Sequence, residues 1–209
     1  MTGSGRFIAF EGGEGAGKST QARLLAEALR ARGLTVVVTR EPGGTPGAEA
    51  IRALLLAPPG AGWPPQAEAL LFAAARSDHV AHLIRPALAR GEWVICDRFV
   101  DSSRAYQGGA GGLGDTAITA LHAFGSGGMR PHRVILLEGD EAALAGRLAA
   151  RGEAADAIEG RPVEYHRAVA QAFRTLAEAD PRGFARIDAL GAPETVHARI
   201  IAALGDLLP

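Results

Sequence analysis

Gly12-Gly13-Glu14-Gly15-Ala16-Gly17-Lys18-Ser19 fits the phosphate-loop template G-x-x-x-x-G-K-[ST] at every fixed position. The run before it, Arg6-Phe7-Ile8-Ala9-Phe10-Glu11, has strand character, and residues 20–32 after it carry Leu24, Leu25, Ala28 and Leu29 at helical spacing. Strand, glycine loop and helix therefore follow in the order such a loop needs. Glycines let backbone N–H groups converge on an anion, and a helix N-terminus adds unpaired donors and a positive dipole end. In that setting Lys18 reaches the β- and γ-phosphates of a nucleoside triphosphate. Ser19 can give its hydroxyl oxygen to Mg²⁺, a hard cation that prefers oxygen ligands. A bare glycine-rich turn is the competing reading, but the glycines, Lys18 and Ser19 are all in register.

The chain has 209 residues, enough for a substantial core and short enough for a single domain, 1–209. Its formal charge is −1 and its pI near 6.6, so no broad basic surface points to nucleic acid, and anions must meet individually placed residues. The one cysteine, Cys96, lies in an apolar run and reads as a buried thiol, which excludes a disulfide framework within the chain. No apolar run reaches the length of a signal peptide or a membrane span, so a cytoplasmic protein without membrane partners is expected. His79 and His82 stand one turn apart without a carboxylate or thiol at ligand spacing, and are read as non-metal.

Outward from the loop, residues 34–39 read as a buried strand, so the first three elements make a β-α-β unit with parallel strands. Arg40-Glu41-Pro42-Gly43-Gly44 is a turn-rich loop at that strand's carboxyl end, where open α/β sheets place ligands. Residues 48–56 look helical, and a proline- and glycine-rich break follows at 57–65. Residues 66–90 predict one long helix kinked at Pro86, with Ala67, Leu70, Leu71, Ala74, Leu83 and Leu88 as its core face. On a second face Glu68, Phe72 and Arg76 stand four apart. Residues 93–98 form an apolar strand ending in Asp97, the pattern of a Walker-B aspartate near Mg²⁺. Five glycines in 108–114 predict a mobile loop, followed by a helix at 116–124. A strand at 133–137, a helix at 141–151, a polar lid-like segment, a helix at 163–179, a strand at 184–187 and a helix from Pro193 to the C-terminus complete the chain. This alternation specifies an α/β fold: a five-stranded parallel sheet covered by helices on both faces, a P-loop kinase architecture with a short lid at about 147–161.

A phosphate loop also serves motors and switches. The chain has no Asn-Lys-x-Asp, the guanine-reading tetrapeptide of a switch GTPase, and is too short for a typical ATPase with a helical lid domain. A kinase remains, in which two phosphate-bearing ligands meet over Mg²⁺ and arginines neutralise the transferring group. Arg98, Arg104, Arg147 and Arg151 lie near the expected strand and helix ends, although Arg104 reads as a solvated surface charge.

Four segments, taken in order, make the resemblance specific. They are Phe10 to Gln21, Thr39-Arg40-Glu41-Pro42-Gly43-Gly44-Thr45, Leu71-Phe72-Ala73-Ala74-Ala75-Arg76, and Asp97-Arg98-Phe99-Val100-Asp101-Ser102-Ser103-Arg104-Ala105-Tyr106-Gln107-Gly108. Together they resemble the bacterial thymidylate kinase family, most strongly up to Gly108 and least in the lid. The resemblance implies transfer of the γ-phosphoryl of ATP to dTMP, giving dTDP, by a homodimer packed through helices. It also implies roles for matching positions. Gly12, Gly13, Glu14, Gly15, Ala16, Gly17, Lys18, Ser19 and Thr20 would surround the ATP phosphates, and Ser19 with Asp97 would hold Mg²⁺. Glu14 would act near the sugar 3′-hydroxyl, Arg98 would bind the dTMP phosphate, and Pro42 would lie beneath the deoxyribose. Phe72 would stack on thymine, unless it is simply a core aromatic. Arg76 would donate to O4, Gln107 would bond the base edge with help from Ser103, and Tyr106 would exclude a ribose 2′-hydroxyl.

The lid departs from the family. Relatives without an arginine in the phosphate loop usually carry catalytic arginines in the lid, one of them in an Asp-Arg-Ile-Glu-like run. Here that run is Asp156-Ala157-Ile158-Glu159. Arg147, Arg151 and Arg161 are the candidate replacements; Arg147 and Arg151, four apart, would reach adenine and the phosphates. Two other readings stay open: a kinase of this fold with another acceptor, and a nucleotide-binding regulator that has lost phosphoryl transfer.

Overall fold

The computed structural model of the chain describes residues 5–149 and 156–208. Strand β1 (Phe7–Gly12) is buried along its length and alternates between two cores. Ile8 and Phe10 join Leu25, Leu29, Ile135 and Ile200, whereas Phe7 and Ala9 join Val80, Ile84 and Phe99. That period-two alternation between apolar layers is what a strand covered by helices on both faces requires. Helix α1 (Lys18–Ala31) leads to β2 (Val36–Arg40), and α2 (Pro46–Leu56) and α3 (Pro65–His79) follow. A π-helical segment, Val80–Ile84, joins α3 to α4 (Arg85–Ala89), and β3 (Trp93–Asp97) comes next. After α5 (Val100–Ser103), a second π-helical segment, Arg104–Ala110, precedes α6 (Asp115–Ser126) and β4 (Arg133–Glu138). The chain closes with α7 (Glu141–Ala149), α8 (Val163–Ala179), β5 (Phe184–Asp188) and α9 (Pro193–Ala203). The five strands run in the order β2-β3-β1-β4-β5 with every neighbouring pair parallel, the sheet expected from the sequence.

Four expectations about the fold need correction. The stretch 66–90 is not one kinked α-helix, because the ladder widens at Val80–Ile84 just before Pro86. Proline has no N–H to give, and its ring collides with the carbonyl four residues back in an α-helix; a wide turn at that point accommodates both. The buried face of α3 also differs from the apolar stripe. Leu70 is 55 % exposed and Ala74 is exposed, while Arg76 and His79 are buried. The polar face turns inward because Glu41 is buried there and pairs with both Arg76 and His79. The first glycines of 108–114 are packing glycines and not part of a mobile loop. A Cβ on Gly109 would lie 2.7 Å from the Ala172 Cβ of α8, so the absence of a side chain lets two helical segments touch. The last helix stops at Ala203, and Leu204 beyond it is buried under the sheet.

Candidate active site

The loops after β1, β2 and β3 converge on one cleft of about 350 Å³ at the carboxyl edge of the sheet, as expected for an open α/β fold. Glu14, Lys18 and Ser19 enter it from the first loop, Arg40, Glu41 and Pro42 from the second, and Asp97 and Arg98 from the third. Gly12 makes the first turn possible. Its φ is 136°, and a Cβ there would stand 2.4 Å from the Leu137 carbonyl oxygen. Gly17, at φ 87°, caps α1 so that Lys18 begins the helix. Lys18 Nζ donates to the carbonyls of Gly13 (2.8 Å) and Gly12 (3.2 Å), which folds the ammonium back over the loop. Burial and the neighbouring Arg98 charge push the Lys18 pKa down, a strain that incoming phosphate oxygens would relieve.

Arg98 is held more tightly than any sequence pattern implied. Its backbone takes a left-handed φ of 69°, and its N–H donates to Phe10 O at 2.8 Å. Its guanidinium donates to Gly12 O (3.2 Å), Ser102 Oγ (3.1 Å) and Glu14 Oε1, and lies 5.2 Å from the Tyr106 ring centroid. Burial opposes ionisation of Glu14, yet Arg98 and Lys18 together hold its pKa down at about 2. Tyr106 OH also donates to Glu14, at 3.2 Å. Beneath this group Glu11, fully buried, accepts from Phe99 N (2.9 Å), Ser102 N (3.0 Å) and Ser102 Oγ (2.6 Å). Burial and the Asp101 carboxylate raise the Glu11 pKa to about 7.

Asp97 and Ser19 meet across the cleft floor, Ser19 Oγ donating to Asp97 Oδ2 at 2.7 Å. Two hard oxygens at the triphosphate end suit Mg²⁺, with phosphate oxygens and water completing the shell. Among the described residues no cluster of three or more His, Cys, Asp or Glu side chains offers an all-protein metal cage. A second hollow of about 240 Å³ lies along the outside of the glycine loop, lined by Gly15, Gly17, Thr20, Arg147, Gly191 and Pro193. Arg147 Nη1 donates to Ala189 O there at 2.8 Å.

The far end of the main cleft is built by α3 and the second π-helical segment. Phe72, Ser103, Tyr106 and Gln107 line it. Arg76 stands behind that lining. It is 3 % exposed, and donates to Glu41 Oε2 (2.7 Å), Ser103 Oγ (2.9 Å) and Phe99 O (3.3 Å). It lies next to Glu41 and Ser103, both of which face the cleft. Asp156, Ile158 and Glu159 close the opposite wall. Arg161 points to α3, donating to Glu68 Oε2 and to Tyr165 OH (2.5 Å). Arg151 lies outside the described residues. Arg104 is not a solvated charge: it is held by Asp101 and Asp115.

The model of the thymidylate kinase family matches residues 10–200. The chain belongs to this family. Among similar proteins, the thymidylate kinase of Rhizorhabdus wittichii is 59 % identical across 98 % of this chain and 99 % of that one. The thymidylate kinase of Symbiobacterium thermophilum is 50 % identical across 97 % and 94 %. The crystal structure of thymidylate kinase from Ehrlichia chaffeensis superimposes with a TM-score of 0.77 at 32 % identity, covering 96 % of this chain and 99 % of that one. For a thymidylate kinase, several cleft residues carry no role in the sequence reading. Glu11, Arg40, Glu41, Arg52 and Ser102 all stand in or directly under the site. Glu41 was the most accessible to reasoning, since a carboxylate at a strand's carboxyl end sits where ligands bind. Glu11 reads as an ordinary strand terminus, and nothing local reveals that it holds a loop 88 residues away.

Proposed function

We propose that this chain transfers the γ-phosphoryl group of ATP to dTMP, producing dTDP and ADP on the route to dTTP. The observation that carries this reading is one continuous cleft with a triphosphate end at Lys18, Ser19 and Asp97, Arg98 between, and an aromatic, amide-bearing end at Phe72 and Gln107. ATP lies with its phosphates in the loop formed by Gly12 to Thr20 and its adenine along the second hollow beside Arg147. Ser19 and Asp97 would hold Mg²⁺, which when bound would supply charge neutralisation at the phosphate oxygens. Lys18 neutralises the bridging region, and Arg98 fixes the acceptor phosphate in line with the γ-phosphorus. Glu14 is ionised and locked to Arg98, so it accepts a hydrogen bond from the sugar 3′-hydroxyl without taking its proton. Pro42 supports the deoxyribose, Tyr106 crowds the 2′ position, and Phe72 stacks on the base. Arg76, Ser103 and Gln107 supply polar contacts to the base edge. Arg151, from the sequence alone, is the candidate for the missing lid arginine. In this reading the protein works in the cytoplasm, on soluble nucleotides.

The chain also pairs with a second copy of itself in this reading. Phe124 on α6 is 95 % exposed and Leu70 on α3 is 55 % exposed, and the two helices are tied together by Ser77 Oγ donating to Gly125 O at 2.5 Å. Apolar side chains of that size on adjoining helices favour a covering partner. Sedimentation of the native chain should give twice the monomer mass, and Phe124→Lys should shift it to the monomer.

The decisive experiment measures ADP release with ATP, Mg²⁺ and a panel of acceptors. dTMP should be the preferred acceptor. Tight dTMP binding without dTDP formation would replace the kinase reading with a regulatory one.

A further inference from the structure

The Phe72 and Gln107 end of the cleft is held by a closed ring of polar groups. Glu68 Oε1 accepts from Gln107 Nε2 at 2.8 Å, and Glu68 Oε2 accepts from Arg161 Nη2. Arg161 Nη1 donates to Tyr165 OH, the Arg161 guanidinium lies 4.7 Å from the Tyr165 ring centroid, and Tyr165 OH donates at 2.8 Å to the backbone oxygen of Tyr106. Tyr106 precedes Gln107, which closes the ring. Glu68 is 13 % exposed in its side chain and Gln107 3 % exposed, so water does not scramble these contacts.

The chemistry of Glu68 settles which way Gln107 faces. A carboxylate only accepts hydrogen bonds, and Glu68 is ion-paired with the Arg161 guanidinium. Gln107 must therefore turn its NH₂ to Glu68. Its Oε1 is left for the cleft, which Gln107 lines. An amide oxygen in that place accepts from a base edge that carries a ring N–H, as thymine and uracil do at N3. It faces a lone pair on cytosine, whose N3 is itself an acceptor. We propose that Glu68 is a positioning residue for base selection: it fixes the Gln107 amide as an acceptor, and Arg161 and Tyr165 fix Glu68. The inference rests on the reading of this cleft as the dTMP site.

Glu68→Gln makes a sharp test because it should reverse the Gln107 amide rather than merely loosen it. In that variant Arg161 would claim the oxygen of the new amide at position 68. The NH₂ of the new amide would then claim the Gln107 oxygen, and the Gln107 NH₂ would turn to the base. The readout is kcat/KM for dTMP against 5-methyl-dCMP, which keeps the methyl group and sugar and differs only at position 4 and in the N3 proton. The E68Q ratio should fall at least about tenfold, as expected for a buried donor–acceptor mismatch. The double swap, Glu68→Gln with Gln107→Glu, restores an acceptor facing the base. Its amide at position 68 can donate to the carboxylate at position 107 while accepting from Arg161. The selectivity of the swap should return to within about threefold of the native value, on the same donor–acceptor matching. A purely structural role for Glu68 would lower both substrates together and leave the ratio alone. A fall of less than about tenfold in E68Q, or a swap as unselective as E68Q, overturns the proposal. Should E68Q fail to fold, the swap is read alone: retained selectivity supports the proposal and lost selectivity overturns it. A native enzyme without dTMP turnover would instead sink the dTMP-site reading itself.

Discussion

At the glycine-loop end of the cleft, cations rest on oxygens that belong to the loop itself; at the lid end, they reach away from the phosphates. Lys18 sits on the Gly12 and Gly13 carbonyls and Arg98 on Gly12 O and Glu14, both in the cleft beside the glycine loop. Arg147 is spent on the Ala189 carbonyl and Arg161 on Glu68 and Tyr165. One end is therefore organised for developing charge before any ligand arrives, which is how electrostatic catalysis avoids reorganisation during the reaction. The other, in the proposed function, is organised for shape and base choice. The two ends should accordingly fail in different ways when mutated.

The largest effect is expected at Lys18. Lys18→Ala should keep its circular dichroism spectrum and lose roughly 10²-fold or more in kcat, comparable to removing one preorganised transition-state donor. Near-native turnover would end the distinction between the two regions. Next comes the buried carboxylate beneath the loop. Glu11 has its pKa raised from 4.5 to about 7, so the folded state binds its proton more tightly than the unfolded one. The stability this contributes is fully present below about pH 4.5 and is lost as pH rises through about 7, a swing on the order of 3 kcal/mol. Glu11→Gln, which keeps an oxygen for Phe99 N and Ser102 N, should remove that slope. Its Tm advantage over the native chain should therefore grow between about pH 5 and pH 7.5 and then level off. Parallel Tm curves for the two chains would contradict the assignment.

At the lid end the effects are smaller and split between kinetic constants. Arg151→Ala should lower kcat by at least about tenfold with little change in KM for dTMP, the signature of a contact made mainly in the transition state. Arg161→Ala should do the reverse, raising KM for dTMP more than it lowers kcat, because Arg161 supports the base pocket through Glu68. Finding both variants impaired in kcat alone would make the lid a second charge-stabilising region and erase the contrast. The smallest change is expected from Ala157→Arg, which restores the family's arginine and should leave kcat unchanged or raise it modestly in a steady-state assay.

The order of elements and the meeting of the glycine loop with Asp97 in one cleft were legible because their signals are local. Strand periodicity, the glycine spacing and the Asp97 strand terminus are each written in a short run of neighbouring residues. The base end was less legible because it is assembled from distant parts. Helical spacing puts Arg76 on the same face as Phe72, but spacing cannot show that Glu41, 35 residues earlier, pairs with it. The same buried carboxylate turned the polar face of α3 inward and left Leu70 outside, against the ordinary expectation for an amphipathic helix. Arg161, one of three candidate lid cations by its place in the sequence, finds its partner 93 residues away. Neither π-helical segment has a sequence signature beyond a nearby proline or glycine.

The wide segment Arg104–Ala110 governs the angular phase of the base pocket. Each residue added to or removed from an α-helix turns everything after it by about 100°. A π-helical turn absorbs an extra residue, so it can present Tyr106 and Gln107 to the cleft while the adjoining Gly108 and Gly109 meet Ile118 and Ala172. A one-residue deletion within it would turn the residues after it by about 100° and so aim different side chains at the cleft. Rotation of this segment, and not residue identity alone, thus decides which side chains face the cleft.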